Sequence, residues 1–115
     1  MNIEYIREYC LAKPFVSEGF PFGDNPLVFK VHNKVFLLLS LDDSQTFNVK
    51  CNPEQALVYR AIYPEIVPGY HMNKTHWNTV NFNGSLPNNL ILDMINHSYE
   101  LVFNSLPKKV KLNQS

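Results

Sequence analysis

The spacing of hydrophobic positions along the chain predicts a helix at its start. The segment NIEYIREYCLAK repeats apolar side chains near helical spacing, offers Asn2 as an N-terminal cap and is stopped by Pro14. The following residues, FVSEGFPFGDNP, are aromatic and rich in glycine and proline. They predict a short, irregular strand over residues 16–22 and then a turn.

Three further segments show strand patterns. LVFKV and VFLLLSL flank HNK and predict a hairpin, because asparagine tolerates the left-handed conformation of a tight turn. VFLLLSL is apolar on both faces, so it is expected near the centre of a sheet. TFNVKC alternates between a buried and a wet face, and HWNTVNF, residues 76–82, predicts another strand.

Two more helices are predicted in the second half of the chain. NPEQALVYRAIY combines Asn52 as N-cap, Pro53 at the first helical position and Gln55 to close a capping box. A long helix begins at Pro87 and ends at Pro107. Its apolar stripe consists of Leu90, Ile91, Met94, Ile95, Ser98, Leu101 and Val102. Residues 108–115 are predicted to form a short basic tail.

These elements predict an α+β fold in one domain spanning residues 1–115. Strands joined by tight turns pair antiparallel, and the helices are expected to cover one face of the sheet. No apolar run is long enough to cross a membrane, and the N-terminus lacks the basic start of a signal peptide, which predicts a cytoplasmic protein with no membrane partner. Cys10 and Cys51 stand alone, a pattern typical of buried reduced thiols.

Net charge argues against a dedicated nucleic-acid binder. Ten basic residues balance ten acidic ones, whereas such proteins gain affinity by neutralising phosphates. The second half of the chain is slightly basic, with six basic and four acidic residues over positions 50–115. That asymmetry leaves a weak indication of an anionic partner.

Candidate chemistry is concentrated in VPGYHMNKTHWNTVNF, residues 67–82, called the signature segment below. His71 and His76 lie five residues apart and match no metal-ligand spacing, so no metal is predicted. No serine or cysteine lies in a nucleophile motif, and no glycine-rich phosphate loop is present. The sequence therefore predicts no catalytic residue, no cofactor and no enzyme activity.

The signature segment has two interpretations. Trp77 and Tyr70 can stack on bases while Lys74 meets a phosphate. Alternatively, Trp77 anchors a core and the polar side chains satisfy backbone groups in a long turn, which we favour for the cluster as a whole. The candidate nucleic-acid-binding or ligand-binding residues are Arg60, Tyr70, His71, Asn73, Lys74, His76, Trp77, Lys108, Lys109 and Lys111.

The chain resembles the MmcQ/YjbR family over nearly its whole length. The resemblance is carried by IREYCLAKPFVSEGFPF, LVFKVHNKVFLLLSL, VKCNPEQALVYRAIYPEIVPGYHMNKTHWNTV and LPNNLILDMINHSYELVFNSLPKK, of which PGYHMNKTHWNTV is the most specific part. It implies a CyaY-like α+β fold, also described as a double-wing arrangement and labelled DNA-binding, and it carries over no catalytic residues. An iron site of the frataxin type is not expected, because the first helix offers only Glu4 and Glu8 with Arg7 between them.

Together these patterns predict a non-enzymatic binding domain. DNA is the expected partner by resemblance, a fold-level analogy. The alternative is a module that binds a protein or a small ligand in a groove lined by Tyr70, His71 and Trp77.

Overall fold

The computed structural model describes residues 1–69 and 72–112, and residue 112 is described by its backbone alone. It contains one six-stranded sheet in the order β1-β2-β3-β4-β6-β5, with every neighbouring pair antiparallel. The elements in chain order are α1 Ile3–Leu11, β1 Val16–Gly19, β2 Leu27–Val31, β3 Lys34–Leu39, β4 Thr46–Lys50, α2 Pro53–Ile62, β5 Ile66–Pro68, β6 Trp77–Asn81, α3 Asn88–Ser105 and α4 Lys108–Leu112. The predicted α+β class is confirmed.

Local sequence signals place the first two helix starts correctly. The Asn2 carboxamide oxygen accepts from the amide of Tyr5 at 2.8 Å, and the Asn52 oxygen accepts from the amides of Glu54 and Gln55. The capping box predicted at α2 would have the Gln55 side chain accept from the Asn52 amide, but that amide has a different acceptor. The amide of Asn52 donates to Nε2 of His97, on α3, at 3.2 Å, so a tertiary contact replaces the local one.

The hairpin predicted around HNK is confirmed as β2 and β3. Both of its turn residues are left-handed, with φ of 47° at His32 and 68° at Asn33, as a two-residue turn between right-twisted strands requires. β3 lies third in the sheet, as its two apolar faces predicted. β1 is shorter than the predicted strand over residues 16–22, because it ends at Gly19 before Pro21.

One face of the sheet is covered by the helices. Ile91, Met94, Ile95 and Val102 of the predicted stripe on α3 are buried in the core, together with side chains of β2, β3, β4 and β6. Ser98 is also buried there, where its hydroxyl donates to the Phe36 carbonyl at 2.6 Å and accepts from the Lys50 amide at 2.8 Å. The helices lie on one face of the sheet, as predicted.

Two segments form secondary structure that was not predicted. β5 was not predicted as a strand, because it is only three residues long, follows Pro64 closely and itself ends in Pro68. Lys108–Leu112, the first part of the predicted basic tail, forms the short helix α4. None of the helices in the described part of the chain is long and apolar enough to cross a membrane.

Candidate functional site

The signature segment is a tightly bonded turn between β5 and β6. Tyr70 and His71 lie outside the described residues, so their predicted roles stay predictions. The Gly69 amide donates to the Trp77 carbonyl at 2.8 Å, and the Asn73 carbonyl accepts from the amides of His76 and Trp77. The Asn73 side-chain oxygen accepts from the Thr75 amide at 2.9 Å. The Asn73 carboxamide thus satisfies backbone, as the structural interpretation predicted.

Gly69 is required by this turn because two backbones come close together. A Cβ on Gly69 would lie 2.8 Å from Cβ of Trp77 and 3.0 Å from its carbonyl oxygen. Real Cβ atoms do not approach that closely, and the second contact is backbone that cannot swing aside. The Pro-Gly pair at residues 68–69 therefore marks a close approach of backbones.

Arg60 on α2 holds the turn in place. Its guanidinium donates from Nε to Oδ1 of Asn78 at 2.7 Å, and from Nη2 to the carbonyls of Lys74 and Trp77. Asn78 is only 1% exposed, and its Nδ2 has no hydrogen-bond partner among the described residues. Since the guanidinium fork is engaged inside the protein, Arg60 acts here as a structural clamp.

The other predicted binding residues fall into two groups. Lys74 and His76 are exposed, and Trp77 is half-buried at the start of β6, opposite Lys50. Trp77 is therefore not the buried core anchor of the structural interpretation. Lys108 and Lys109 are exposed on α4. Lys111 is half-buried there and donates to the Asn104 carbonyl at 3.4 Å.

The sheet register brings most of these cations to one end of the molecule. β3 and β6 are both antiparallel to β4, so both begin at the end of the sheet where β4 finishes with Lys50. Lys34, at the start of β3, donates to the Ser105 hydroxyl at 2.9 Å, and the lysines of α4 follow Ser105 directly. We call this end, with Lys34, Lys50, Lys74 and α4, the basic end. The opposite end, called the acidic end, carries Asp24, Asp42, Asp43 and Glu65.

Neither cysteine is arranged as a nucleophile. Both are buried and unpaired, as predicted. Burial raises the pKa of the Cys10 thiol to about 12 and that of Cys51 to about 11, which opposes thiolate formation. Among the described residues, no group of three or more His, Cys, Asp or Glu side chains is placed to hold a metal ion.

A cleft on the helix-free face of the sheet was missed by the sequence analysis. The register aligns five residues across this face: Val28, Leu38, Asn48, Thr79 and Val67. They floor or flank a cavity of about 1160 Å³, called the open-face cleft, to which Leu38, Asn48, Thr79 and Val67 contribute directly. Cavities that bind small molecules commonly enclose several hundred Å³, so this one can hold an organic ligand.

Loops close the sides of the open-face cleft. On the β3 side, the loop carrying Phe22 and Pro26 is fixed by Asn25, whose side chain accepts from the Leu41 amide at 3.0 Å and donates to Asp42 at 3.3 Å. Pro64 and Glu65 form part of the β5 side, and Met72 is the signature-segment residue that reaches the cleft. The walls are thus built from segments far apart in sequence.

The floor of the cleft combines apolar surface with hydrogen-bonding groups. Leu38 is 8% exposed although no helix covers this face, because the loops shield it. Beside it, the Thr79 hydroxyl donates to Oδ1 of Asn48. Hydroxyl groups continue toward the acidic end, where Thr46 Oγ1 donates to Ser40 Oγ at 3.3 Å and lies 3.0 Å from Ser44 Oγ. Such a surface can hold an apolar ligand and orient it.

Two carboxylates face the cleft near the acidic end. Hydrogen bonds from Ser44 and Asn25 lower the pKa of Asp42, and a hydrogen bond from Ser85 lowers the pKa of Glu65. Both side chains are therefore charged at neutral pH. Among the described residues that line the cleft there is no Lys, Arg or His.

Only part of the cleft had a signal in the sequence. The wet face predicted for TFNVKC contains Thr46 and Asn48, which do lie in the cleft. The apolar outer face of β3, with Val35 and Leu38, was interpreted as central burial. The apolar outer face of β3 beside the polar outer face of β4 indicates a groove with a mixed lining. That conclusion requires the strand order β3-β4-β6, which the sequence does not provide.

Known proteins with this sequence pattern and fold were found in several bacteria. The YjbR family matches residues 11–101. The chain is 40% identical over 107 residues to the "uncharacterized protein YbdF" of Escherichia coli O157:H7, covering 92% of this chain and 88% of the relative. It is 30% identical over 110 residues to the "uncharacterized protein YjbR" of Escherichia coli K12, covering 95% and 93% respectively.

Solved structures agree with this assignment. The Deinococcus radiodurans protein DR2400, of domain DUF419, superposes with a TM-score of 0.91 at 32% identity over 98% of this chain and 87% of its own. A Pseudomonas syringae protein superposes with a TM-score of 0.77 at 28% identity, covering 89% of this chain and 99% of its own. The chain belongs to the YjbR family.

Proposed function

We propose that this domain binds a small organic molecule in the open-face cleft. The observation that carries the proposal is a cavity of about 1160 Å³ on the sheet face that none of the described helices covers. An unused outer face of a sheet is normally polar and flat. Here the loops shape it into a recess that presents Leu38, Val67 and Met72 beside hydroxyl and amide groups.

The proposed site differs from the groove expected from the sequence. That groove was assigned to Tyr70, His71 and Trp77, whereas the cleft receives only Met72 from the described part of the signature segment. The signature segment would act as a rim that holds Met72 against the sheet. Binding without catalysis fits the burial of both thiols and the engagement of Arg60 in structural bonds.

The test uses a neutral, environment-sensitive probe, N-phenyl-1-naphthylamine. Its fluorescence should rise on binding, and the backbone amide signals of β3, β4 and β6 should shift in an NMR titration. Val67 is 40% exposed at the cleft wall, so Val67→Trp can project an indole ring into the cleft without burying a charge. We expect this variant to weaken probe binding at least about tenfold, or about 1.4 kcal/mol.

Leu57→Trp is the matched control. Leu57 is 63% exposed on α2 and lies outside the cleft lining, so this variant should bind the probe like the unmodified protein. Shifts that map to α2 or to the basic end, or no binding at millimolar probe, would overturn the proposal.

A second candidate function is nucleic-acid binding at the basic end. The observation in its favour is the sorting of charge by the sheet register, which gathers Lys34, Lys50, Lys74 and the lysines of α4 although the net charge is zero. His76 and Trp77 lie beside Lys74 and could contact bases. Arg60 would support the contact surface from below through its bonds to the Lys74 and Trp77 carbonyls.

Fluorescence anisotropy with duplex and single-stranded DNA across a salt series tests this candidate. Binding driven by phosphates must weaken as salt rises, with a slope of about 0.9 per phosphate neutralised on duplex DNA. Lys74→Gln should reduce that slope, whereas Lys13→Gln should not, because the Lys13 ammonium is engaged with the Asn96 side chain. Absence of binding at low salt would remove the candidate.

A further inference from the structure

We propose that the ligand of the open-face cleft is a cationic amphiphile, an ammonium group joined to an apolar body. This inference rests on the proposed function and adds the chemical class of the ligand. It is carried by the charge of the cleft. Asp42 and Glu65 line it, whereas no basic side chain does among the described residues.

Neither carboxylate has a basic partner among the residues that the structure describes. The salt bridge found in the described part of the chain joins Arg7 on α1 to Glu18 on β1, the strand at the opposite edge of the sheet from β5. Asp42 accepts instead from the Ser44 amide at 2.9 Å and from the Asn25 carboxamide, and Glu65 accepts from the Ser85 hydroxyl. These neutral donors fix the carboxylates in position and leave their charge uncompensated.

The sheet register separates the two carboxylates across the cleft. Asp42 follows β3 and Glu65 precedes β5, with β4 and β6 lying between those strands. At about 4.8 Å per strand, the two residues lie roughly 14 Å apart. One ammonium group therefore meets one carboxylate, and the apolar body of the ligand lies across the floor between them.

The remaining lining suits the apolar part of such a ligand. Leu38 lies mid-floor, with Val67 toward β5 and Met72 from the signature segment. Phe22, 68% exposed, belongs to the loop that Asn25 ties to Asp42. An aromatic face near a carboxylate favours an ammonium group through cation–π attraction in addition to ion pairing.

Charge also discriminates against other classes of ligand. A carboxylate or phosphate entering the cleft would face two fixed negative charges, and none of the described residues that line the cleft carries a positive charge to offset them. The lysines of the basic end lie at the opposite termini of the same strands. The cleft and the basic end are therefore expected to bind ligands of opposite charge.

The experiment compares three eight-carbon ligands: octylamine, 1-octanol and octanoate. They share one apolar chain and differ in charge at pH 7. Each is titrated against the full chain by NMR chemical shift, with competition against N-phenyl-1-naphthylamine as a second readout. We expect octylammonium to bind at least tenfold tighter than octanol, and octanoate to bind most weakly.

Charge-neutralising variants locate the ammonium group. Asp42→Asn keeps an oxygen to accept from Ser44, and Glu65→Gln keeps one to accept from Ser85, so both should fold normally. The double variant should bind octylamine and octanol equally, with octanol affinity unchanged. The single variant with the larger loss identifies the carboxylate that the ammonium group meets.

A pH series gives an independent readout. The pKa of each carboxyl is held below its usual range of roughly 4, so both stay ionised as pH falls from 8 to 5, while octylamine stays protonated. Octylamine affinity should be constant over that interval and fall as pH drops below about 4. Octanol affinity should not follow the same profile.

The possible results separate the ligand class from the function. If octanol or octanoate binds the cleft as tightly as octylamine, the ligand class is wrong while the binding function stands. If none of the three ligands and no neutral probe shifts the amides of β3, β4 and β6, the proposed function fails as well.

Discussion

The signature segment and the open-face cleft show opposite relations between sequence and role. The signature segment gathers polar and aromatic residues within a short stretch, yet the side chains of Arg60 and Asn73 form hydrogen bonds inside the protein that fix this turn. The cleft is assembled from residues of several strands and loops, none unusual alone, yet it leaves a large lined space. A dense local cluster can thus be a folding device, while a binding surface can be dispersed along the chain.

The largest effect is expected for Arg60→Met, which removes the clamp on the signature segment. The change leaves Oδ1 of the buried Asn78 and the Lys74 carbonyl without a donor, and it removes one of the two donors to the Trp77 carbonyl. We therefore expect the free energy of unfolding to fall by about 3 kcal/mol. Urea unfolding followed by the fluorescence of Trp77 measures it. Lys74→Met is the control, since Lys74 is exposed and its side chain makes no hydrogen bond within the described residues. Equal losses in both variants would contradict the clamp.

A somewhat smaller effect is expected for Gly69→Ala. The new methyl group would press on Trp77 at 2.8 Å, and overpacking of this kind costs about 2 kcal/mol. The melting temperature should therefore fall by roughly 8 °C. Gly19→Ala in β1 is the control, because a Cβ there meets nothing within 4 Å. An unchanged melting temperature for Gly69→Ala would show that the two backbones separate easily.

Thiol labelling tests whether loosening the clamp opens the protein locally. The Cys51 amide donates to the His76 carbonyl at 2.8 Å, which places this cysteine under the signature segment. Both thiols should react slowly with a disulfide reagent at pH 8, because burial raises the pKa of Cys51 to about 11 and of Cys10 to about 12. Arg60→Met should speed labelling of Cys51 by about tenfold. Cys10, on the buried side of α1, is the internal control, and equal acceleration of both would indicate global unfolding instead.

The smallest effect on stability is expected from narrowing the cleft. Val67 is 40% exposed, so Val67→Trp should change the free energy of unfolding by less than about 0.5 kcal/mol while it blocks probe binding. Urea unfolding of the same sample used for the binding assay checks this. If Val67→Trp lowered the free energy of unfolding as much as Arg60→Met, the cleft would contribute to folding as strongly as the signature segment, and the two regions would not differ in role.

The features that the sequence predicted depend on short-range chemistry. The caps at Asn2 and Asn52 and the left-handed turn at Asn33 each follow from a few neighbouring residues. The alternation in β4 likewise identified which of its residues face the core. For such elements the deciding interactions lie within one or two turns of chain.

The features that it missed depend on contacts between distant segments. His97 replaces Gln55 at the start of α2 only because α3 packs beside it. The cleft requires β6 to lie between β4 and β5, an order that no local pattern specifies. Arg60 was predicted as a phosphate contact from its charge alone, and its internal acceptors are 14 to 18 residues away. Proximity set by the fold decides these roles.

The shortness of β5 has a consequence for how molecules of this protein meet one another. β5 is the edge strand of the sheet. Its neighbouring residues Glu65 and Gly69 form backbone hydrogen bonds with β6, so the backbone polar groups of the alternate positions, Ile66 and Pro68, point away from the sheet. The Ile66 amide is already donated to the Tyr63 carbonyl at 3.0 Å, and proline has no amide hydrogen. The outer side of β5 therefore presents no free N–H group to which a strand of another molecule could add. This margin of the sheet is closed to intermolecular β-pairing and to the aggregation that such pairing begins.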